Sequence, residues 1–182
     1  MSFRRTALAV LCSALTFSAV ASAALGGSGN YKVSAVAKVP LGTVDIKGGG
    51  KFTAEEEGDN WVFKTNLKDS LDVKERTEHA REHFEMGKHP KATLTIAKSA
   101  LKLPEDKPVK GTVKGDLKLH GTSKPVTVTY KVSKKDGGYT IEEASFTFDY
   151  TQYIPKICRF AGTACVNPPI DVKVEKVAVV QK

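Results

Sequence analysis

The chain has 182 residues, 41% of them hydrophobic and 26% charged, with a formal net charge of +8. That length suits one domain with a sizeable core. A positive balance attracts phosphates, anionic headgroups or acidic polymers, although lysines solvating the outer faces of strands account for it equally well; with no Arg-rich or aromatic-interleaved tract, a nucleic-acid partner is excluded.

Residues 1–23 read as a signal peptide. Arg4 and Arg5 precede an apolar run from Ala7 to Val20, and Ala21-Ser22-Ala23 offers the small residues a signal peptidase accepts. The apolar run is shorter than the ~20 residues a spanning helix needs. Leu11 stands before Cys12 where a lipoprotein signal wants a small residue, which argues against a lipid anchor there. Cleavage after Ala23 would leave one domain, 24–182, in the periplasm with a charge of +6, since two arginines and no acids are lost.

From Tyr31 onward the hydrophobic period is two. Tyr31, Val33, Ala35 and Ala37 alternate with polar or outward positions, as do Val44 and Ile46 before Gly48-Gly49-Gly50. Trp61, Phe63 and Leu67 share a face. After them 74–86, rich in Glu, Lys and Arg, breaks the pattern and reads as a short helix stopped by Gly87, with Ala80, Phe84 and Met86 as its apolar stripe. Alternation resumes at Leu94 and Ile96, and continues through Leu117 and Leu119, then Val126, Val128, Tyr130 and Val132. Phe146, Phe148 and Tyr150 follow, and Val172 and Val174 close the series. Turn chemistry at 57–60, 104–107, 120–123 and 136–138 separates these runs. The expectation is an all-β fold of about eight antiparallel strands. Closure into a barrel removes the exposed edges, while a two-sheet sandwich satisfies the same pattern. Cys158 and Cys165, in an exported chain, read as a disulfide closing a small loop, which restrains the unfolded chain by roughly 2–3 kcal/mol.

Two stretches carry a family resemblance. One is Arg76-Thr77-Glu78-His79-Ala80-Arg81-Glu82-His83-Phe84 with Lys88-His89-Pro90; the other, more specific, is 115–126, with Gly115, Leu117, Leu119, Gly121, Ser123, Lys124, Pro125 and Val126. Together with Phe146–Tyr150 and Ile170–Val174 they resemble the YceI-like family of lipocalin-like, polyisoprenoid-binding periplasmic proteins, over roughly Tyr31 to Val180. The chain departs from the family's pattern at Ser34-Ala35-Val36, where a His-Ser pair is common, and at Thr77, where Asp is common.

The resemblance implies an eight-stranded lipocalin-like barrel whose elongated apolar tunnel holds the isoprenoid chain of a polyprenyl or quinone-like lipid. The residues expected to line it are Trp61, Phe63, Leu67, Phe84, Leu94, Ile96, Leu117, Leu119, Val126, Val128, Tyr130, Phe146, Phe148 and Tyr150. Burial of three five-carbon units at about 0.8 kcal/mol per methylene stabilises a complex by something like 10 kcal/mol before association costs. No cofactor and no catalytic group is expected, because no nucleophile–base arrangement stands out. Peripheral contact with an anionic membrane is the expectation raised by the basic exterior. The alternative is a metal-binding or stress-responsive protein: His79 and His83, at i and i+4 on the helix, would ligate with Glu82 or His89. His120 falls in a turn, where a local hydrogen bond is expected. Glu55, Glu56 and Glu57 read as a solvated charge run.

Overall fold

The structure, a computed structural model, describes residues 24–69 and 81–181. The signal peptide and all of the 74–86 helix before Arg81 lie outside the described residues. Within them Arg81 to His83 are helical and lead into a turn over 84–88.

Strands β1 (Leu25–Val39), β2 (Gly42–Glu57), β3 (Asn60–Asn66), β4 (Lys91–Ala97), β5 (Val109–Leu119), β6 (Thr122–Lys135), β7 (Gly138–Phe148), β8 (Cys158–Arg159) and β9 (Ala164–Gln181) form one antiparallel sheet. β1 to β7 pair in sequence order, β7 pairs β9, and β9 returns to β1, so eight strands close a barrel. The sandwich is thereby ruled out. β8 is a two-residue arm on the first residues of β9, and the Cys158–Cys165 disulfide fastens it there.

Alternation explains the closure. In β5, Val113, Leu117 and Leu119 are buried between exposed Thr112, Lys114, Asp116 and Lys118, and β6 repeats this with Val126, Val128, Tyr130 and Val132. Each strand thus has one greasy face to hide, and a closed sheet hides all of them together. One break matters. A bulge at Glu142 of β7, opposite Lys131 and Val132 of β6, shifts the phase of β7. Tyr139 and Ile141 face inward before it, and Ala144, Phe146 and Phe148 after it.

Register sorts the connections into two rims. The β1–β2 hairpin at Val39–Gly42, the 84–90 turn, the β5–β6 hairpin at Leu119–Thr122 and the 149–163 segment share the first rim. The β2–β3 and β6–β7 hairpins and the 98–108 segment share the second. At the second rim Glu56 is no mere solvated charge. Its carboxylate accepts from the Leu25 N–H at 2.8 Å and pairs with Lys98 at 3.1 Å, tying β1 and the 98–108 segment to β2.

The wall is not uniformly bonded. β5 and β6 share eleven residue pairs and β3 and β4 share seven, whereas β4 and β5 share three, Thr93–Lys118 to Thr95–Asp116. The closing seam depends on a glycine: a Cβ on Gly27 of β1 would drive into the Ala178 carbonyl oxygen of β9. Opposite Tyr130 stands Gly111, where a Cβ would fall 2.7 Å from the phenol ring. The bare backbone lets Tyr130 lie across β5 to the 98–108 segment. Its hydroxyl accepts from the Lys102 N–H at 2.9 Å and faces the Lys102 carbonyl at 3.3 Å.

Candidate ligand tunnel

A cavity of about 560 Å³ runs through the barrel. At the first rim it touches Val39, Val44, Phe160 and Ala164, and at the second Leu101, Leu103 and Tyr139. Between them the wall is aliphatic and aromatic. Phe52 and Phe63 meet at 6.1 Å between ring centroids, and Phe146 and Phe148 at 6.2 Å. Four basic side chains border it: Lys47, Lys64, His83 and Arg159. Lys64 is spoken for, since hydrogen bonds to Glu57 and then Glu55 hold its ammonium above the ordinary lysine value. A hollow with so few polar partners can hold a chain of carbon and little else.

Of the residues expected to line the tunnel, the structure brings Trp61, Phe63, Leu67, Phe84, Leu94, Ile96, Leu117, Leu119, Val128, Tyr130, Phe146 and Phe148 around the cavity. Val126 and Tyr150 are elsewhere. Val126 does lie inward on β6, but a turn at 149–153 covers the β6–β7 side of the first rim. It borders a small notch with Gln152 and Tyr153 instead. Tyr150 continues the spacing of Phe146 and Phe148, yet Asp149 ends the strand phase by capping a 3₁₀ turn, its side chain accepting from the Thr151 N–H at 2.9 Å. The Tyr150 ring is fully buried, and its hydroxyl donates to the Val166 carbonyl at 2.8 Å and accepts from the Ile157 N–H at 3.1 Å. Burial pushes that hydroxyl above the ordinary tyrosine value, so it remains a neutral brace. Tyr153 packs edge-on against Phe148 at 5.8 Å and completes the floor.

Leu67 sits in a 3₁₀ turn just after β3, in keeping with its place on the Trp61 face. Lining residues the sequence reading left unassigned include Phe52, Tyr139, Ile141, Ala144, Val166 and Ile170. The expected His79–His83 pair lies only partly among the described residues. His79 lies outside them, and His83 is exposed at the tunnel edge. Nε2 of His120 is buried without a hydrogen-bond partner, with Glu85 Oε2 at 3.4 Å.

Two solved structures share this architecture. A polyisoprenoid binding domain from Saccharophagus degradans is 12% identical, with a TM-score of 0.67, over 88% of this chain and 100% of its own. Burkholderia cenocepacia BcnA is 21% identical, with a TM-score of 0.61, over 81% of this chain and 96% of its own. At such identities the likeness is one of fold. No curated protein matches the chain in sequence. The YceI-like domain model, by contrast, matches residues 23–178, and the chain belongs to the YceI-like family.

Proposed function

We propose that this protein is a non-enzymatic carrier that holds the isoprenoid tail of a polyprenyl or quinone-like lipid inside its barrel, in the periplasm. The observation that carries this is the apolar hollow of about 560 Å³ spanning the barrel from rim to rim. A methylene takes about the room of a water molecule, roughly 30 Å³, so the hollow suits on the order of three to four five-carbon units. Such a tail supplies micromolar or better affinity from burial alone. The polyisoprenoid binding domain with the same fold supports the ligand class, and family membership supports binding over catalysis. The signal-like start and the Cys158–Cys165 disulfide support an oxidising compartment. Protein purified from its native host should release, on organic extraction, a prenyl-chain lipid identifiable by mass spectrometry. An empty extract, or a polar small molecule, would overturn the proposal. A saturated acyl lipid would overturn its isoprenoid part.

Exchange with a membrane is proposed at the first rim. Leu41, at the β1–β2 hairpin tip, is fully exposed, and Phe160, on the disulfide-closed loop beside it, is 76% exposed. Lys38 stands one residue pair from the hairpin turn and Arg159 adjoins Phe160, with Asp45 the nearest acid on β2. Greasy tips with cations beside them fit an anionic leaflet. Co-sedimentation with phosphatidylglycerol vesicles should fall at least tenfold in the Leu41→Asp/Phe160→Asp double variant, and should weaken steeply as salt rises. Binding indifferent to both would remove this contact from the proposal.

A further inference from the structure

A second cluster lies at the first rim, where the 84–90 turn meets the β5–β6 hairpin. After the helical residues Arg81–His83 the chain coils tightly: the Met86 N–H bonds the Arg81 carbonyl at 2.9 Å, and the N–H groups of Lys88 and His89 both reach the Glu85 carbonyl, at 2.8 and 2.9 Å. That coil sets Glu85 and His89 on one side of the turn. Across from them His120 opens the two-residue hairpin loop with φ of +50°, followed by Gly121 at +76°. This is a left-handed turn of the kind hairpins favour, and histidine is among the residues that tolerate it. The turn brings the imidazole against its neighbour. The rings of His89 and His120 lie 4.2 Å apart between centroids, tilted by 52°.

We propose that Glu85, His89 and His120 form a binding site for a divalent transition metal of the zinc class. Their ligating atoms all lie within 4.8 Å of one another. Donors around a tetrahedral zinc at about 2.1 Å stand about 3.4 Å apart, so small side-chain rotations complete the geometry. Two imidazoles and a carboxylate are a common zinc set, and they leave one coordination position for water or a further ligand. The set is too rich in nitrogen for magnesium or calcium, which take oxygen.

An independent observation points to a ligand. Nε2 of His120 is buried and has no hydrogen-bond partner. Glu85 Oε2 is the nearest charge at 3.4 Å, but the contact lacks hydrogen-bond geometry. Buried ring nitrogens are normally satisfied, and a metal ion seated between the imidazoles and the carboxylate satisfies this one. Glu85 is suited to share: Lys88 Nζ approaches its Oε1 at 3.3 Å, while Oε2 is the oxygen that faces His120, at 3.4 Å. The site also bears on the tunnel without depending on what fills it. Phe84 and Met86, from the same turn, line the cavity, so a bound ion fastens that stretch of wall to the β5–β6 hairpin.

The test is calorimetric titration of chelator-stripped full-length protein with zinc chloride alone, followed by cobalt(II) substitution read by visible absorption. One equivalent should bind, and cobalt should give the intense d–d bands of a four-coordinate site. His120→Asn keeps a residue that accepts the left-handed turn, and His89→Ala and Glu85→Gln remove the other ligands. Each should weaken zinc binding at least tenfold, with the circular dichroism of the metal-free protein unchanged. Should one variant misfold, the other two still decide the matter, Glu85 being exposed. Absence of zinc uptake, or uptake insensitive to these substitutions, would overturn the assignment. So would loss of zinc in His83→Ala with retention in His120→Asn, which would move the ion to the helix.

Discussion

Ala35→Trp is expected to cut the affinity for a four-unit prenyl alcohol by about a hundredfold or more while leaving the barrel as stable as before, or more so. Ala35 is buried on β1 and faces the cavity between Val33 and Ala37. An indole at that position occupies the room of at least one isoprene unit. Five carbons at about 0.8 kcal/mol each amount to about 4 kcal/mol, near a thousandfold in affinity, and adjustment of the remaining chain returns part of that. The stability change separates a hollow from a packed core. In a hollow the new ring gains dispersion contacts that water-sized space did not offer. In a filled interior the same ring would overpack at a cost of about 1–3 kcal/mol. Dye displacement by the prenyl alcohol reads the first effect and thermal unfolding the second. A destabilised variant with undiminished affinity would mean that the ligand lies elsewhere.

Gly27→Ala should be a costly small change at the closing seam, at about 3 kcal/mol or more in urea unfolding. The added methyl meets the Ala178 main chain, which has no rotamer by which to step aside. The injury falls where β1 closes on β9, a pairing between the two ends of the described chain, held in register from Leu25–Gln181 to Lys38–Cys165 around two irregularities. Gly87→Ala is the matched control, since nothing lies within 4 Å of a Cβ there. It should change stability by no more than about 0.5 kcal/mol. Equal effects of the two substitutions would show that the seam does not limit the fold.

Much of this architecture was legible as alternation. β5 and β6 carry the pattern without interruption, and their hairpin at His120–Gly121 announces itself by its turn residues. Closure was not legible: periodicity places residues on a face but does not say whether the sheet's last strand meets its first. The misplacements have local causes. Tyr150 kept the spacing of Phe146 and Phe148, but one aspartate cap turned the chain out of phase. Tyr139 and Ile141 were overlooked because a bulge at Glu142 in their own strand reverses their side of the sheet relative to Phe146. Val126 has the inward orientation expected of it, yet a covering turn from 149–153 decides that it belongs to the floor. The histidines were harder still. His89 and His120 are thirty-one positions apart in the chain, and only the pairing of β4 with β5 brings their rings together.

The short run shared by β4 and β5 has a consequence for how cargo gets in. Three residue pairs hold that line of the wall, against eleven on the next line over. A stave barrel parts where it has fewest pegs, and here that line opens onto the hollow beside Leu94 and Leu117. If the hollow carries the proposed isoprenoid tail, this line offers a broadside way in that avoids threading past Phe160 or Leu103, and loading would then depend on a few amides letting go and not on the number of units in the tail.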